Sequence, residues 1–214
     1  MLNCWPVISH SFLMTSSLIT VHRSFFAEDE IKKSRFIAMI APCETERQAL
    51  NALRQLAAQH PQAHHLAFAW RIREPGGFIQ ERCHDAGEPS GTAGRPILAP
   101  LEGENLINVV CAVIRYFGGT KLGTGGLTRA YGGTAKQVIS LAEKHPWVEM
   151  VDLQLELAYP QLQFLEYQLA QCQGQIIDQA FAETVSVTMR LPASAVSGIK
   201  AQFSRRSKSI VHQR

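Results

Sequence analysis

The stretch that most constrains this chain runs from Leu106 to Lys144. It joins an apolar run, a glycine-rich turn and a segment with helical spacing. Val109 to Ile114 is unbroken apolar residue, and as a strand it requires cover on both faces. Gly118, Gly119, Gly123, Gly125 and Gly126 then fall within nine residues. Glycine tolerates positive φ and lets another backbone, or a ligand, come close. After the turn, Leu127, Tyr131, Thr134, Ala135, Val138, Leu141 and Ala142 recur at the helical interval and share one face.

The opposite face of that helix carries Arg129 and Lys136, with Gly132 and Gly133 between them. A mid-helix glycine costs roughly 0.5–1 kcal/mol relative to alanine. Two in succession on an outward face are not explained by core packing. The pattern predicts bare backbone flanked by positive charge: an anion site, with phosphate the leading ligand, reached also by Arg115, Lys121 and the helix N-terminus. The competing reading is a surface packed closely against another element, with the cations merely solvated. Two named phosphate motifs fail on spelling. Gly118 to Gly123 has the Walker A spacing, but Thr124 and Gly125 follow it. A dinucleotide fingerprint would need glycine where Thr128 stands.

Flanking segments read as further elements. Val21 to Pro42 predicts two strands, the basic Lys32, Lys33 and Arg35 fitting a solvated edge. Thr45 to Gln59 predicts a helix, with Thr45 and Gln48 as a capping box. Leu66 to Ile72 and Phe78 to Cys83 predict a hairpin. Then comes HDAGEPSGTAGRP, His84 to Pro96, a loop from which a short helix, Arg95 to Leu101, is expected to start with Ser90 or Thr92 as its cap. His84, Asp85 and Glu88 in that loop have the chemistry for proton transfer or for a hard cation, and equally for capping turns.

Pro146 marks a boundary. Val151 to Leu157 alternates strictly, which predicts a half-buried strand. A helix from Gln161 to Cys172, with Gly174 as its left-handed terminator, precedes strands Ile176 to Phe181 and Thr184 to Leu191. A helix from Ala193 to Phe203 and a short strand from Ser209 to His212 complete the βαββαβ order of a ferredoxin-like domain. The expected organisation is an extension at residues 1–20, a first α+β domain at 21–146 and a second at 147–214. Met14 is an alternative start to Met1.

Composition limits the function classes. With 46% apolar and 18% charged residues the chain builds a core. Net charge is only +3, but Lys200, Arg205, Arg206, Lys208 and Arg214 follow an acidic stretch without any acid among them. That end is a basic patch suited to phosphate or an acidic surface. The cysteines, Cys4, Cys43, Cys83, Cys111 and Cys172, form no C-x-x-C pair. They fit reduced thiols in the cytoplasm and neither a disulfide frame nor a zinc site. His60, His64 and His65 are interrupted by Pro61, so no metal is expected, and no cofactor either. The first twenty residues are too interrupted for a signal peptide or a membrane span.

Two blocks, HDAGEPSGTAGRP and VIRYFGGTKLGTGGLTRAYGG, look like the IMPACT family in its bacterial YigZ-like branch. The family pattern of the first block is close to D-G-E-P-x-G-T-A-G-[RK]-P. Here Asp85-Ala86-Gly87-Glu88 departs from it by inserting Ala86, and His84 stands where relatives often have Asp. The resemblance covers about Val21 to Arg214. It implies an α+β protein: an N-terminal ribosomal-protein/RNase PH-type β-α domain, then a small ferredoxin-like domain similar to one in elongation factor G. Both kinds of relative touch RNA or the ribosome. Eukaryotic members restrain an amino-acid-starvation kinase through an additional N-terminal module, and that stress-response role does not transfer here. No catalytic set is implied.

The leading expectation is therefore an RNA- or ribosome-binding protein that regulates translation. Arg95, Arg115, Lys121, Arg129 and Lys136, with Gly132 and Gly133, would meet phosphates, and Arg205, Arg206 and Lys208 would add a second contact. With 8% aromatic residues there is no base-stacking array for sequence-specific reading. The alternatives are an enzyme on a phosphorylated small molecule, using the glycine turn with Asp85, Glu88 and Thr92, and an adaptor for a protein partner in translation. No membrane association is expected.

Overall fold

The computed structural model describes residues 17–203. Arg205, Arg206 and Lys208, the expected strand at 209–212 and the alternative start Met14 lie outside the described residues. The contacts divide the chain into two units, the first ending at Trp147 and the second beginning at Val148.

The first unit is built on a five-stranded antiparallel sheet. In chain order its strands are β2 (Phe25–Ile31), β3 (Ser34–Pro42), β4 (His65–Arg73), β5 (Ile79–His84) and β6 (Val109–Tyr116). Their order across the sheet is β2-β3-β6-β4-β5, so β6 is central and β2 and β5 are the edges. The solvated edge expected at Lys32, Lys33 and Arg35 is not found: Lys32 and Lys33 form the turn between β2 and β3, and Arg35 lies in β3, which is paired on both sides. A separate ribbon pairs β1 (Ile19–Val21) with β7 (Lys144–Pro146). β1 takes Ile19 and Thr20 from the segment read as an extension, and Val21 is buried.

Side-chain alternation gives this sheet two cores. On one face Val110, Ala112 and Ile114 of β6 meet Met39, Trp70 and Ile72 and helix α1 (Glu46–Gln59) through Ala49, Leu53 and Leu56. On the other, Val109, Cys111 and Val113 meet Phe36, Ala38 and Ile40 under α2 (Gly94–Gly103) and α3 (Thr124–Leu141). The apolar run of β6 is thus covered on both sides, the arrangement its sequence demands. Arg115 follows in the same alternation and lies on the α2–α3 face. Its cross-strand neighbours are Phe36 and His65.

Local signals hold at some element ends and fail at others. Thr45 caps α1 by accepting the Gln48 N–H at 3.2 Å. The Gln48 side chain returns to the N–H of Glu44, one residue before the expected partner. Helix α3 buries Leu127, Ala130, Tyr131, Thr134, Ala135, Val138 and Ile139. Leu141, expected on that face, is the last residue of the helix and is exposed. The helix ends before Lys144, which belongs to β7.

The second unit contains β8 (Met150–Leu157), α4 (Tyr159–Gln171), β9 (Gln175–Phe181), β10 (Val185–Pro192), a 3-10 turn (Ala193–Ala195) and α5 (Val196–Phe203). β10 lies between β8 and β9, antiparallel to both, which is the split βαβ core of the ferredoxin-like order. Leu153, Leu155, Leu157, Val185, Val187 and Met189 form one buried layer with Leu165, Leu169, Ile199 and Phe203. The left-handed residue after α4 is Gln173 (φ 60°), not Gly174. Gly174 is needed for space instead: a Cβ there would lie 2.8 Å from Leu169 Cδ2.

Candidate functional site

Three segments converge on Glu88. Its Oε1 accepts hydrogen bonds from Arg115 Nη1 at 2.7 Å and from the Tyr131 hydroxyl at 2.8 Å. His65 Nε2 stands 3.8 Å from the same oxygen. The His65 ring is oriented by its other nitrogen, Nδ1, which lies 2.8 Å from the carbonyl of Ala86 and must donate there. The side chains of Glu88 and Arg115 are each 5% exposed. A buried ion pair of this kind is tolerable only when its remaining hydrogen-bonding groups are also met. Arg115 Nη2 reaches Ser34 Oγ at 3.4 Å, while Nε finds no partner among the described residues. Tyr131 is held well above the usual phenol range by burial first, and next by its bond to the Glu88 carboxylate.

The loop that delivers Glu88 is fixed by Asp85. Its Oδ2 accepts the Gly91 N–H at 2.9 Å, and its Oδ1 accepts those of Ala93 and Gly94 at 3.0 and 2.8 Å. Burial raises the Asp85 pKa, but the bonds from Gly91, Gly94 and Ala93 outweigh it, and the group sits below its ordinary value. Asp85 is therefore the cap of α2, supplied from the far end of the loop. Neither Ser90 nor Thr92 fills that position: no side chain of the N-cap residue bonds, and Thr92 Oγ1 donates to the Pro89 carbonyl at 2.6 Å. His84 is exposed, its Nδ1 accepting the Ala86 N–H. Asp85 and Glu88 thus have separate structural tasks and do not form a paired acid site.

A cavity of about 370 Å³ opens beside this cluster. His65, Glu88 and Arg115 line it, with Phe117 and Leu127. So do Lys121, Gly123 and Thr124, where α3 begins. Gly123 takes φ 70°, and no side chain caps the helix, so the first-turn N–H groups are left open. Gly118 serves a different need: a Cβ there would lie 1.8 Å from the Lys33 carbonyl oxygen.

Arg129, Gly132, Gly133 and Lys136 share a second, separate groove of about 360 Å³ between α2 and α3, with Pro96, Ala99 and Pro100. No residue lines both cavities. The residues expected to form a single anion site thus line two separate cavities. Arg115 and Lys121 belong to the first. Of the paired glycines, Gly132 faces α2, where an added Cβ would meet the Pro96 carbonyl at 3.4 Å, while Gly133 faces open space. Close packing accounts for one and not for the other. Arg129 lies over Gly125, whose added Cβ would be 3.7 Å from Nη1. Arg129, Lys136 and Lys121 are exposed and have no carboxylate partner among the described residues. Arg95 is instead paired with Glu102 at 3.3 Å.

His60, His64 and His65 each have a partner of their own: the Tyr116 hydroxyl, the Phe117 N–H and the Ala86 carbonyl. Among the described residues no group of three or more potential metal ligands forms. No helix there is long and apolar enough to cross a membrane. His65 and Tyr131 were not singled out as partners of Glu88 by sequence. His65 reaches it through strand register and Tyr131 through a helix face, and neither relation has a local signature.

Two family models match the chain. The Impact N-terminal domain matches residues 32–139, and a domain of unknown function (DUF1949) matches residues 155–208. The chain is similar to the IMPACT family member YigZ of Escherichia coli (strain K12), 36% identical over 204 residues that make up 94% of this chain and 97% of that protein. An IMPACT family member of Haemophilus influenzae is 33% identical, over 84% of this chain and 87% of its own length. Among solved structures, a crystal structure of a hypothetical protein matches 92% of this chain and 96% of its own, with 34% identity and a TM-score of 0.68.

Proposed function

This chain belongs to the IMPACT family, and from that premise we propose that it binds RNA, free or in the ribosome, through the outer face of α3 and takes part in regulating translation. The carrying observation is that Arg129 and Lys136 flank open backbone at Gly133 without a carboxylate partner among the described residues. Eight other cations, Arg23, Arg35, Arg71, Arg82, Arg95, Arg115, Lys144 and Arg190, each pair with an acid. Unpaired cations seven residues apart on one helical face suit phosphates of one backbone, and phosphate contacts give affinity without sequence choice. The sequence adds Arg205, Arg206 and Lys208 at the C-terminal end.

The test is binding of single-stranded RNA by fluorescence anisotropy over a range of salt, alongside sedimentation with ribosomes before and after nuclease. Log affinity should fall linearly with log salt. The double variant Arg129→Glu/Lys136→Glu should bind at least about tenfold more weakly, with a salt slope smaller by about 2. No RNA binding at low salt, or equal binding by the double variant, refutes the proposal.

A further inference from the structure

We infer that the cavity at the start of α3 is a binding site for a small phosphate monoester that carries a neighbouring hydroxyl, the chemistry of a sugar phosphate or of a terminal nucleotide. It stands apart from the outer face of α3, whose residues do not line it.

Two independent features point to a ligand. The first is the uncapped helix N-terminus at Gly123, beside Lys121. Open first-turn N–H groups and the positive end of the helix dipole favour an anion. The second is Glu88. Its side chain is 5% exposed and lines the cavity, and both of its hydrogen bonds fall on Oε1. Oε2 has no protein donor among the described residues. That oxygen is an accessible acceptor on a side chain that lines the cavity, and a ligand hydroxyl would donate to it.

Charge accounting selects the class. Arg115 already neutralises Glu88, so the pair contributes no net charge. Lys121 and the helix terminus are left positive. A dianion meets that excess, whereas a zwitterion such as a free amino acid brings no net charge to it. A phosphate seated on α3 with an attached hydroxyl turned to Glu88 uses both ends of the site. Phe117, 41% exposed, and Leu127 supply apolar wall for the carbon skeleton. The volume, about 370 Å³, is within the range of small-molecule pockets.

Isothermal titration calorimetry on the full chain tests this, with ribose 5-phosphate, inorganic phosphate, ribose and a 5′-phosphorylated RNA trinucleotide as probes. Ribose 5-phosphate or the trinucleotide should bind at least about tenfold more tightly than inorganic phosphate, and ribose should not bind in the same range. The tighter of the two identifies the source as a free metabolite or an RNA end. Lys121→Glu, at an exposed position, should weaken the better probe about tenfold or more, and Thr124→Pro, which removes one first-turn N–H where proline is tolerated, should also weaken it. Arg47→Glu, on the helix across the sheet, should leave binding unchanged and controls for bulk charge. If neither phosphorylated probe binds better than inorganic phosphate, or if Lys121→Glu binds as the natural chain does, the inference is overturned.

Discussion

Glu88 and Arg115 are 27 residues apart in sequence and 2.7 Å apart in space, each with 5% of its side chain exposed. The pair ties the loop before α2 to the end of β6 beneath α3. Removing one partner leaves the other charge buried and alone. Glu88→Ala should lower unfolding stability by about 3–5 kcal/mol, and the double variant Glu88→Leu/Arg115→Met by much less. Urea denaturation of both variants measures this. Equal losses would mean that the charges are not coupled.

Asp85 holds three backbone N–H groups while ionised. Asp85→Ala should cost roughly 1–2 kcal/mol at neutral pH. The sign with pH follows from its lowered folded-state pKa. Above the ordinary value of 3.8 both folded and unfolded forms are ionised and the benefit is complete. As pH falls below that value the unfolded chain takes up the proton first, and the benefit drains away. The stability gap between natural chain and variant should therefore be flat from pH 7 to about 5 and shrink toward pH 3, followed by thermal melts.

Two glycines should respond to alanine with opposite sign. At Gly118 a Cβ would lie 1.8 Å from the backbone oxygen of Lys33, so the β2–β3 turn must move. Gly118→Ala should destabilise by roughly 1–3 kcal/mol or more. At Gly133 the Cβ meets nothing within 4 Å on a regular helix. Gly133→Ala should stabilise by roughly 0.5–1 kcal/mol. Matched chemical denaturation curves decide, and a loss at Gly133 would show that its backbone is covered.

The described cysteines should differ sharply in reactivity. Burial pushes the Cys43 thiol up to about 12, with Glu44 adding to it, and burial alone does the same for Cys111. Cys83 is exposed. A thiolate is the reactive form, so a maleimide should modify Cys83 rapidly and reach Cys43 and Cys111 only on unfolding. Peptide mapping of a time course reads the order. Early labelling of Cys111 would contradict the burial of β6.

Much of the fold was legible because its causes are local. The run Val109 to Ile114 required two covered faces and has them. Thr45 announced the start of α1, and strict alternation announced β8. Signals weakened where partners are remote. The cap of α2 comes from Asp85, eight and nine residues before the N–H groups it meets, so Ser90 and Thr92 looked better placed than they are. β7 is three residues that become a strand only by pairing with β1. Leu141 has the right phase for the buried face, but periodicity does not mark where the covering layer ends.

The candidate sites divide in the same way. By itself the sequence determined that Arg129, Gly132, Gly133 and Lys136 share one helical face, because a helix fixes the angle of every residue about its axis. It also determined that a glycine turn delivers the chain to the start of that helix. Only the tertiary structure decided which of these groups are free. It sealed Arg115 against Glu88, turned Gly132 toward Pro96 and left Gly133 open. Burial and charge neutralisation depend on strand register and layer packing, which bring together residues tens of positions apart, and no local pattern encodes those distances.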